Sequence, residues 1–474
     1  MSDNKTEIRR EIDGWFEKHS GEMINDLRRL VAVKSVRSPA QAGAPYGPNS
    51  REVLALAGSM LEAKGFKVDC FEDIVITATL GSDPPLMGIL AHLDIVEAGE
   101  GWDTDPFAMA EKDGKLFGRG VIDNKGPAVA AMYALCCVRD IFPELGKGVQ
   151  VIFGSGEETG FDDITRYLAK NEPPPYVFTP DGEFPVVNIE KGRFAPFFGA
   201  SWRRDSSLPR IVSANGGKTM NIVPNRAEAV IEGMEACEAE VFCREFSEKT
   251  GAAISVRADG NRLVITSEGK AAHAARPHLG LNAQTALIEM LAAMPFAESA
   301  GFGYICALSR LFPHGDNQGK ALGIAMEDET GDLTVNFGVL RFSEIEFSGN
   351  FDSRTPACAD DVDIHGITES SFDREGIKLT SHTRSKCHHT PEDSPFVQAL
   401  LRIYEDYTGE PGYCLSIGGQ TYVHDITGGV VFGAAMPGVE NNVHGANEFI
   451  ELDQLILGSK MCAQAIIDMC SKKD

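Results

Sequence analysis

An imidazole and a carboxylate two residues apart, His92 and Asp94, close an apolar run, and further along a Gly118-Arg119-Gly120 turn leads into a second carboxylate, Asp123. Nitrogen and oxygen donors of this kind are those of a metal site. The run Leu86-Met87-Gly88-Ile89-Leu90-Ala91 has the continuous apolar character of a strand covered on both faces, and His92 falls at its C-terminal end. Two positions on, Asp94 faces the same side of an extended chain, where it can accept the far imidazole N–H and fix which nitrogen is left to bind metal. Asp123 precedes residues 128–142, whose alanine and leucine content predicts a helix. By itself a His-x-Asp triplet is common and more often has a surface or structural role.

A second apolar strand, predicted over 148–153, ends in Gly154-Ser155-Gly156-Glu157-Glu158-Thr159-Gly160. Adjacent acids suit a solvated glycine-rich turn. They also suit a site in which one carboxylate binds metal while its neighbour moves protons. A third strand, predicted over 176–179, runs into Pro180-Asp181-Gly182-Glu183, and the last candidate ligand is His444 in Asn441-Asn442-Val443-His444-Gly445-Ala446-Asn447-Glu448.

In order and spacing, the stretches AHLDIVEAGEGWDTDPF, GRGVIDNKGP, GSGEETG, PDGEFP and NNVHGANE resemble the motifs of the cocatalytic dinuclear zinc peptidases, the aminoacylase and carboxypeptidase G family, and within it the PepV-like dipeptidases. The resemblance covers nearly the whole chain. It implies that His92, Asp123 and Asp181 hold one zinc ion and Asp123, Glu158 and His444 the other, with Asp123 bridging. It further implies that Glu157 is general base and acid, that Asp94 orients His92, and that the Asp123–Asn124 peptide is cis. Many relatives carry a second Asp where this chain has Asn124; only the first carboxylate bridges, so both metals are expected to remain. A mixed imidazole and carboxylate shell suits zinc and tolerates manganese or cobalt.

The elements that must position these groups predict an α/β protein. Helix and strand patterns alternate from residue 8 to about 190, as in a mixed central sheet with helices on both faces. From 191 to about 382 strands (227–232, 262–267 and 333–340) and helices (235–250 and 282–294) read as an inserted α+β lid. After 390 the first style returns, with a helix over 396–408, a strand over 429–434 and a closing helix over 452–470. His444 must meet His92, so the division expected is a catalytic domain of 1–190 and 383–474 interrupted by a lid of 191–382. The lid is about twice the size found in dimeric relatives; in PepV-like enzymes its second half mimics a partner's domain, which implies a monomer.

The lid carries candidates of its own. By the resemblance, His273 in Gly269-Lys270-Ala271-Ala272-His273 steadies the oxyanion, and Asn221 hydrogen-bonds the substrate backbone. Arg354 would clamp the substrate's terminal carboxylate with its planar fork, and the Gly418-Gly419 turn would let backbone approach the substrate. A histidine near a strand end and an arginine in a strand are, without that context, ordinary structural residues. The chain departs from its relatives at Gln420 and His424, where a third glycine and an arginine are common, and this bears on substrate preference. His388 and His389 read as linker residues.

A formal net charge of −25 disfavours nucleic acid and anionic membrane partners. The amino terminus, MSDNKTEIRREIDGW, is charged throughout, and no segment has the length and apolarity to span a bilayer. The eleven cysteines form no metal-type CxxC pair, consistent with reduced thiols in the cytoplasm. The expected activity is metal-dependent hydrolysis of dipeptides, small peptides being the only partners. The alternatives are removal of an acyl group from an N-acyl amino acid or from N-succinyl-diaminopimelate at the same centre, and a binding protein that has lost the chemistry. The second alternative conflicts with the presence of Glu157 and all five inferred ligands.

Overall fold

Strand Pro85–His92 is buried from Met87 to His92, the pattern of a strand covered on both faces. It lies at the centre of the larger sheet in a computed structural model that describes residues 2–471. The chain forms two compact units, one of residues 1–189, 389–415 and 420–474, the other of residues 190–388 and 416–419.

In the first unit the sheet runs Val68–Phe71, Val75–Leu80, Gly148–Gly154, Pro85–His92, Tyr176–Thr179, Val430–Val431, Val186–Glu190. The sheet is mixed. Pro85–His92 is parallel to both neighbours, His92 pairing with Gly154 and Ile89 with Phe178, while Val75–Leu80 runs antiparallel to Gly148–Gly154. Parallel strands end at the same edge, and in open α/β sheets that C-terminal edge is where sites form. Here it gathers His92, the 154–158 turn and Asp181.

Helix Lys125–Ile141 is apolar around its circumference and buried from Lys125 to Val138, so it can exist only inside a core. It packs with helices Ser2–Val31 and Leu452–Cys470 around Leu27, Met132, Leu135, Val151 and Ile466. Its start lies tight against the preceding loop, since a Cβ on Gly126 would sit 2.0 Å from the Val121 carbonyl oxygen. The predicted strand over 429–434 is shorter in the structure. Val430–Val431 joins the main sheet, a cis Gly433–Ala434 peptide follows, and Ala434–Ala435 pairs instead with Gly182–Glu183.

The second unit is built on an antiparallel sheet, in the order Ala253–Asp259, Arg262–Glu268, Arg226–Glu232, Arg210–Gly216, Thr334–Phe342, Glu346–Thr355, Gly192–Ser201, Lys378–Ser385. Two four-stranded halves meet where Ala214, Asn215 and Gly216 pair with Phe342, Arg341 and Leu340. Helices Ala236–Thr250 and Ala283–Ala293 accompany the first half in sequence, and Ala300–Leu311 and Ile364–Asp373 the second. In its core Phe312 stacks on Phe198 and Phe337, and Phe372 packs against Phe198 with its ring tilted.

Candidate metal centre

His92 ends its strand with its ring 1% exposed. Nδ1 lies 3.1 Å from the Asp94 carbonyl oxygen and 3.4 Å from the Asp94 carboxylate, so the backbone is the nearer acceptor. Either bond puts the proton on Nδ1 and leaves the Nε2 lone pair pointing away. Nε2 faces Asp123 Oδ1 at 3.0 Å and Asp181 Oδ2 at 3.4 Å and, although buried, makes no aligned hydrogen bond. On the other side of Asp123, Oδ2 lies 2.9 Å from His444 Nε2, which is 3.2 Å from both Glu158 oxygens. Donor atoms of His92, Asp123 and Asp181 lie within 4.8 Å of one another, as do those of Asp123, Glu158 and His444. Asp123 belongs to both groups.

Besides orienting His92, Asp94 holds the turn that carries Glu157 and Glu158. Its carboxylate accepts the backbone N–H groups of Glu157 (3.3 Å) and Glu158 (3.1 Å), fixing the short 3₁₀ turn Glu157–Thr159. Asn124 follows Asp123 through a cis peptide and donates its side-chain amide to Asp181 Oδ1 (3.0 Å) and to the Pro180 carbonyl (3.1 Å). The amide thereby steadies a candidate ligand. Tyr422, between the divergent Gln420 and His424, has its ring 6.2 Å from that of His92 and donates its hydroxyl to Asp163 at 2.5 Å. Asp163 also accepts from Ser155 N at 2.7 Å, bracing the strand end before Glu157. Gln420 Nε2 and His424 Nε2 are 3.2 Å apart. No local pattern announces the Tyr422–Asp163 pair, whose members are 259 residues apart.

The electrostatics are those of a buried cluster of acids balanced only by two imidazoles. Burial, then repulsion from Asp181, Glu158 and Asp123, pushes Glu157 well above the usual carboxylate range, against the opposing pull of His92. Burial and Asp123 push Glu158 up to about 7. Hydrogen bonds to Asp123 and Glu158 raise His444 to about 11. Burial alone would raise Asp123, but hydrogen bonds from His444 and His92 reverse this and hold it below its ordinary value. Among the described residues, no lysine or arginine pairs with Asp123, Glu157, Glu158 or Asp181. Three carboxyl groups and two imidazoles, one of them with an orphaned buried nitrogen, are a donor set that fits two divalent cations sharing Asp123.

The remaining candidates lie together in the second unit. Ile222 forms a β-bridge with His273, and Ala274 N donates to the Asn221 carbonyl at 2.9 Å, so Asn221 and His273 are neighbours. Ala275 N donates to His273 Nδ1 at 3.2 Å, which puts the ring proton of the neutral imidazole on Nε2. Arg354 is 6% exposed; it donates from Nε to Asp352 at 2.8 Å, from Nη2 to Asp352 at 3.4 Å and from Nη1 to the Gly418 carbonyl at 2.5 Å. A Cβ on Gly418 would lie 2.5 Å from Ala275 Cβ and 3.3 Å from Arg354 Cγ, so the glycine is required by close approach. Gly419 has more room, its nearest neighbour being Ile417 Cδ1 at 3.5 Å. Asp352 also accepts from Arg193 at 2.9 Å, a partner the sequence did not suggest.

Fold and site define a metal-dependent hydrolase, with its ligands at the C-terminal edge of a mixed α/β sheet. The family profile described as "Peptidase family M20/M25/M40" matches residues 88–468. The chain is 32% identical over 454 residues to "Putative dipeptidase YtjP" of Bacillus subtilis, covering 94% of this chain and 97% of that one. It is 30% identical over 469 residues to a Staphylococcus haemolyticus protein also named "Putative dipeptidase", covering 96% and 99%. Among solved structures, human carnosine dipeptidase 1 shares the fold with a TM-score of 0.58 at 16% identity, covering 98% of this chain and 99% of that one. The di-peptidase Dug1p of Saccharomyces cerevisiae matches with a TM-score of 0.58 at 14% identity over 100% of both chains. This chain belongs to peptidase family M20/M25/M40 and is a metal-dependent peptidase.

Proposed function

We propose that the protein is a cytoplasmic dipeptidase that works as a monomer with two zinc ions, manganese or cobalt being tolerated in their place. The observation that carries the reading is the pair of three-residue donor groups sharing Asp123. The dipeptidase names of relatives aligned over nearly the full length supply the substrate class. His92, Asp123 and Asp181 would hold one ion, and Asp123, Glu158 and His444 the other. Bound there, the ions supply Lewis-acid chemistry, acidifying a water and polarising the scissile carbonyl.

The chain's own groups do the rest. Glu157, raised by burial and its acidic neighbours, takes the water's proton and later delivers it to the departing amine. Asp94 holds Glu157 and Glu158 by their backbone N–H groups, so base and ligand keep a fixed separation. His273, with its proton on Nε2, can donate to the oxyanion formed at the carbonyl. Asn221 hydrogen-bonds the substrate backbone. Three hydrogen bonds commit three of the five N–H donors of Arg354, and the other two suit the terminal carboxylate of a dipeptide. Gly418 and Gly419 keep side chains out of that corner. The monomer reading is supported by the two-halved sheet of the second unit.

The test is product analysis by mass spectrometry on a mixed panel of dipeptides, tripeptides, N-acetyl amino acids and N-succinyl-diaminopimelate, after chelation and metal return. Cleavage of dipeptides alone, restored by metal, is the expected result. Acyl release would move the protein to the deacylase branch, and silence across the panel would refute the catalytic reading.

A further inference from the structure

Three ligand-bearing or ligand-flanking segments meet at one buried ion pair that takes no part in the proposed chemistry. Arg119 and Glu448 are 1% and 0% exposed and lie 2.6 Å apart. The Glu448 carboxylate accepts the backbone N–H groups of Gly120 (3.0 Å), Ile122 (3.0 Å) and Asp123 (3.3 Å), so it shapes the loop that presents Asp123. Arg119 Nη2 donates to the carbonyl oxygens of Gly445 (3.0 Å), Ala98 (3.3 Å) and Glu97 (3.5 Å). The first of these adjoins His444; the other two belong to the loop that follows His92 and Asp94.

The two metal-ligand groups do not depend on this pair equally. His92 is fixed by its strand and by Asp94, and Asp181 by Asn124. His444 has neither support. Its side chain is 53% exposed, and it stands on a loop where Asn442, His444 and Asn447 all have left-handed backbone (φ 55°, 60° and 57°). Such a conformation persists only where the surroundings enforce it. Gly445 N donates to the Asn442 carbonyl at 2.8 Å within the loop. The bond from Arg119 to the Gly445 carbonyl ties the turn next to His444 to the loop carrying Asp123, while Glu448, four residues beyond His444, is joined to that loop by its own carboxylate and by its carbonyl, which accepts Gly118 N at 3.1 Å.

We infer that Arg119 and Glu448 are positioning residues that set the affinity of the metal site formed by Asp123, Glu158 and His444, leaving the His92, Asp123 and Asp181 site largely unaffected by loss of the arginine fork. This inference rests on the two-metal reading. A lysine at 119 keeps the charge and can reach Glu448, but one ammonium cannot also span to Gly445, Ala98 and Glu97 as the planar fork does.

The test is calorimetric titration of zinc into metal-free protein for the wild type, Arg119→Lys, Glu448→Gln and His444→Ala, with folding checked by circular dichroism. The wild type should bind two ions. Arg119→Lys should weaken one of them by about 10- to 100-fold, the usual effect of losing a group that orients a ligand. The other affinity should stay within about threefold and match the one left in His444→Ala. If Arg119→Lys does not fold, Arg119→Gln takes its place with the same site-selective loss expected, whereas Glu448→Gln, which loosens the loop presenting the shared Asp123, should weaken both ions. Equal loss at both sites in the Arg119 variant, or no loss at either, overturns the inference. A wild type that binds fewer than two ions would instead overturn the two-metal reading.

Discussion

Replacing Asp94 by asparagine should weaken both metal sites at once. The side chain is 1% exposed, and its two oxygens serve Glu157 N, Glu158 N and, at longer range, His92 Nδ1. Asparagine offers one acceptor and one donor, so at least one backbone N–H would face an amide N–H. A hydrogen bond to an ionised acceptor contributes about 1.5–3 kcal/mol, and a buried donor left without a partner costs a similar amount. A loss of about 1.5–3 kcal/mol falling on the metal-loaded state corresponds to roughly 10- to 150-fold in affinity. Both ions should feel it, because His92 belongs to one donor group and Glu158 to the other. Calorimetry on metal-free Asp94→Asn, with near-ultraviolet dichroism to confirm packing, gives the two affinities directly. A folded variant that binds both ions as tightly as the wild type would refute the argument that Asp94 organises the centre.

Glu157→Gln should keep both metals and lose about 10²- to 10⁴-fold in kcat, the usual range for a general base; inductively coupled plasma mass spectrometry and steady-state kinetics separate the two effects. Because His444 is raised to about 11 and Glu158 to about 7 in the metal-free protein, loading must displace protons. Metal affinity should therefore rise with pH, and binding heats in buffers of different ionisation enthalpy should report the released protons. Burial pushes Asp163 up to about 6 from an ordinary 3.8. Between those values the folded state holds the extra proton, so wild-type stability relative to Asp163→Asn should fall as pH rises from about 4 to 6, by at most roughly 3 kcal/mol, measurable by urea titration of metal-free protein. Gly418→Ala, whose new methyl would lie 2.5 Å from Ala275 Cβ, should lower kcat/KM for dipeptides at unchanged metal stoichiometry.

The elements with strong local signals were legible. The strand predicted over 176–179 and the helix over 452–470 coincide with Tyr176–Thr179 and Leu452–Cys470, because a short β-branched and aromatic run and a long amphipathic one each declare their period. The residues now seen together were legible through their motifs, His92, Asp123, Glu157, Glu158 and Asp181 close to a strand end or a helix start and His444 on a loop. What joins those motifs was not. Glu448 and Arg119 are 329 residues apart and Tyr422 and Asp163 are 259 apart, and no periodicity connects such partners. Asp352 and Arg354, two positions apart on one strand, could have been paired from their alternation and charge, which would have anticipated how the arginine fork is held.

The order in which the chain contributes to its two units also constrains how the protein can be made. The first unit is assembled from three stretches, and the core helix Lys125–Ile141 packs against Leu452–Cys470, the last helix described. On a ribosome, Lys125–Ile141 would emerge with its apolar surface uncovered until residues 452–470 had also been made. The second unit, whose sheet lies within residues 190–388, could gain its strand pairs first. The donor group of Asp123, Glu158 and His444 would then be complete only once residue 444 had been made, long after the first of its members.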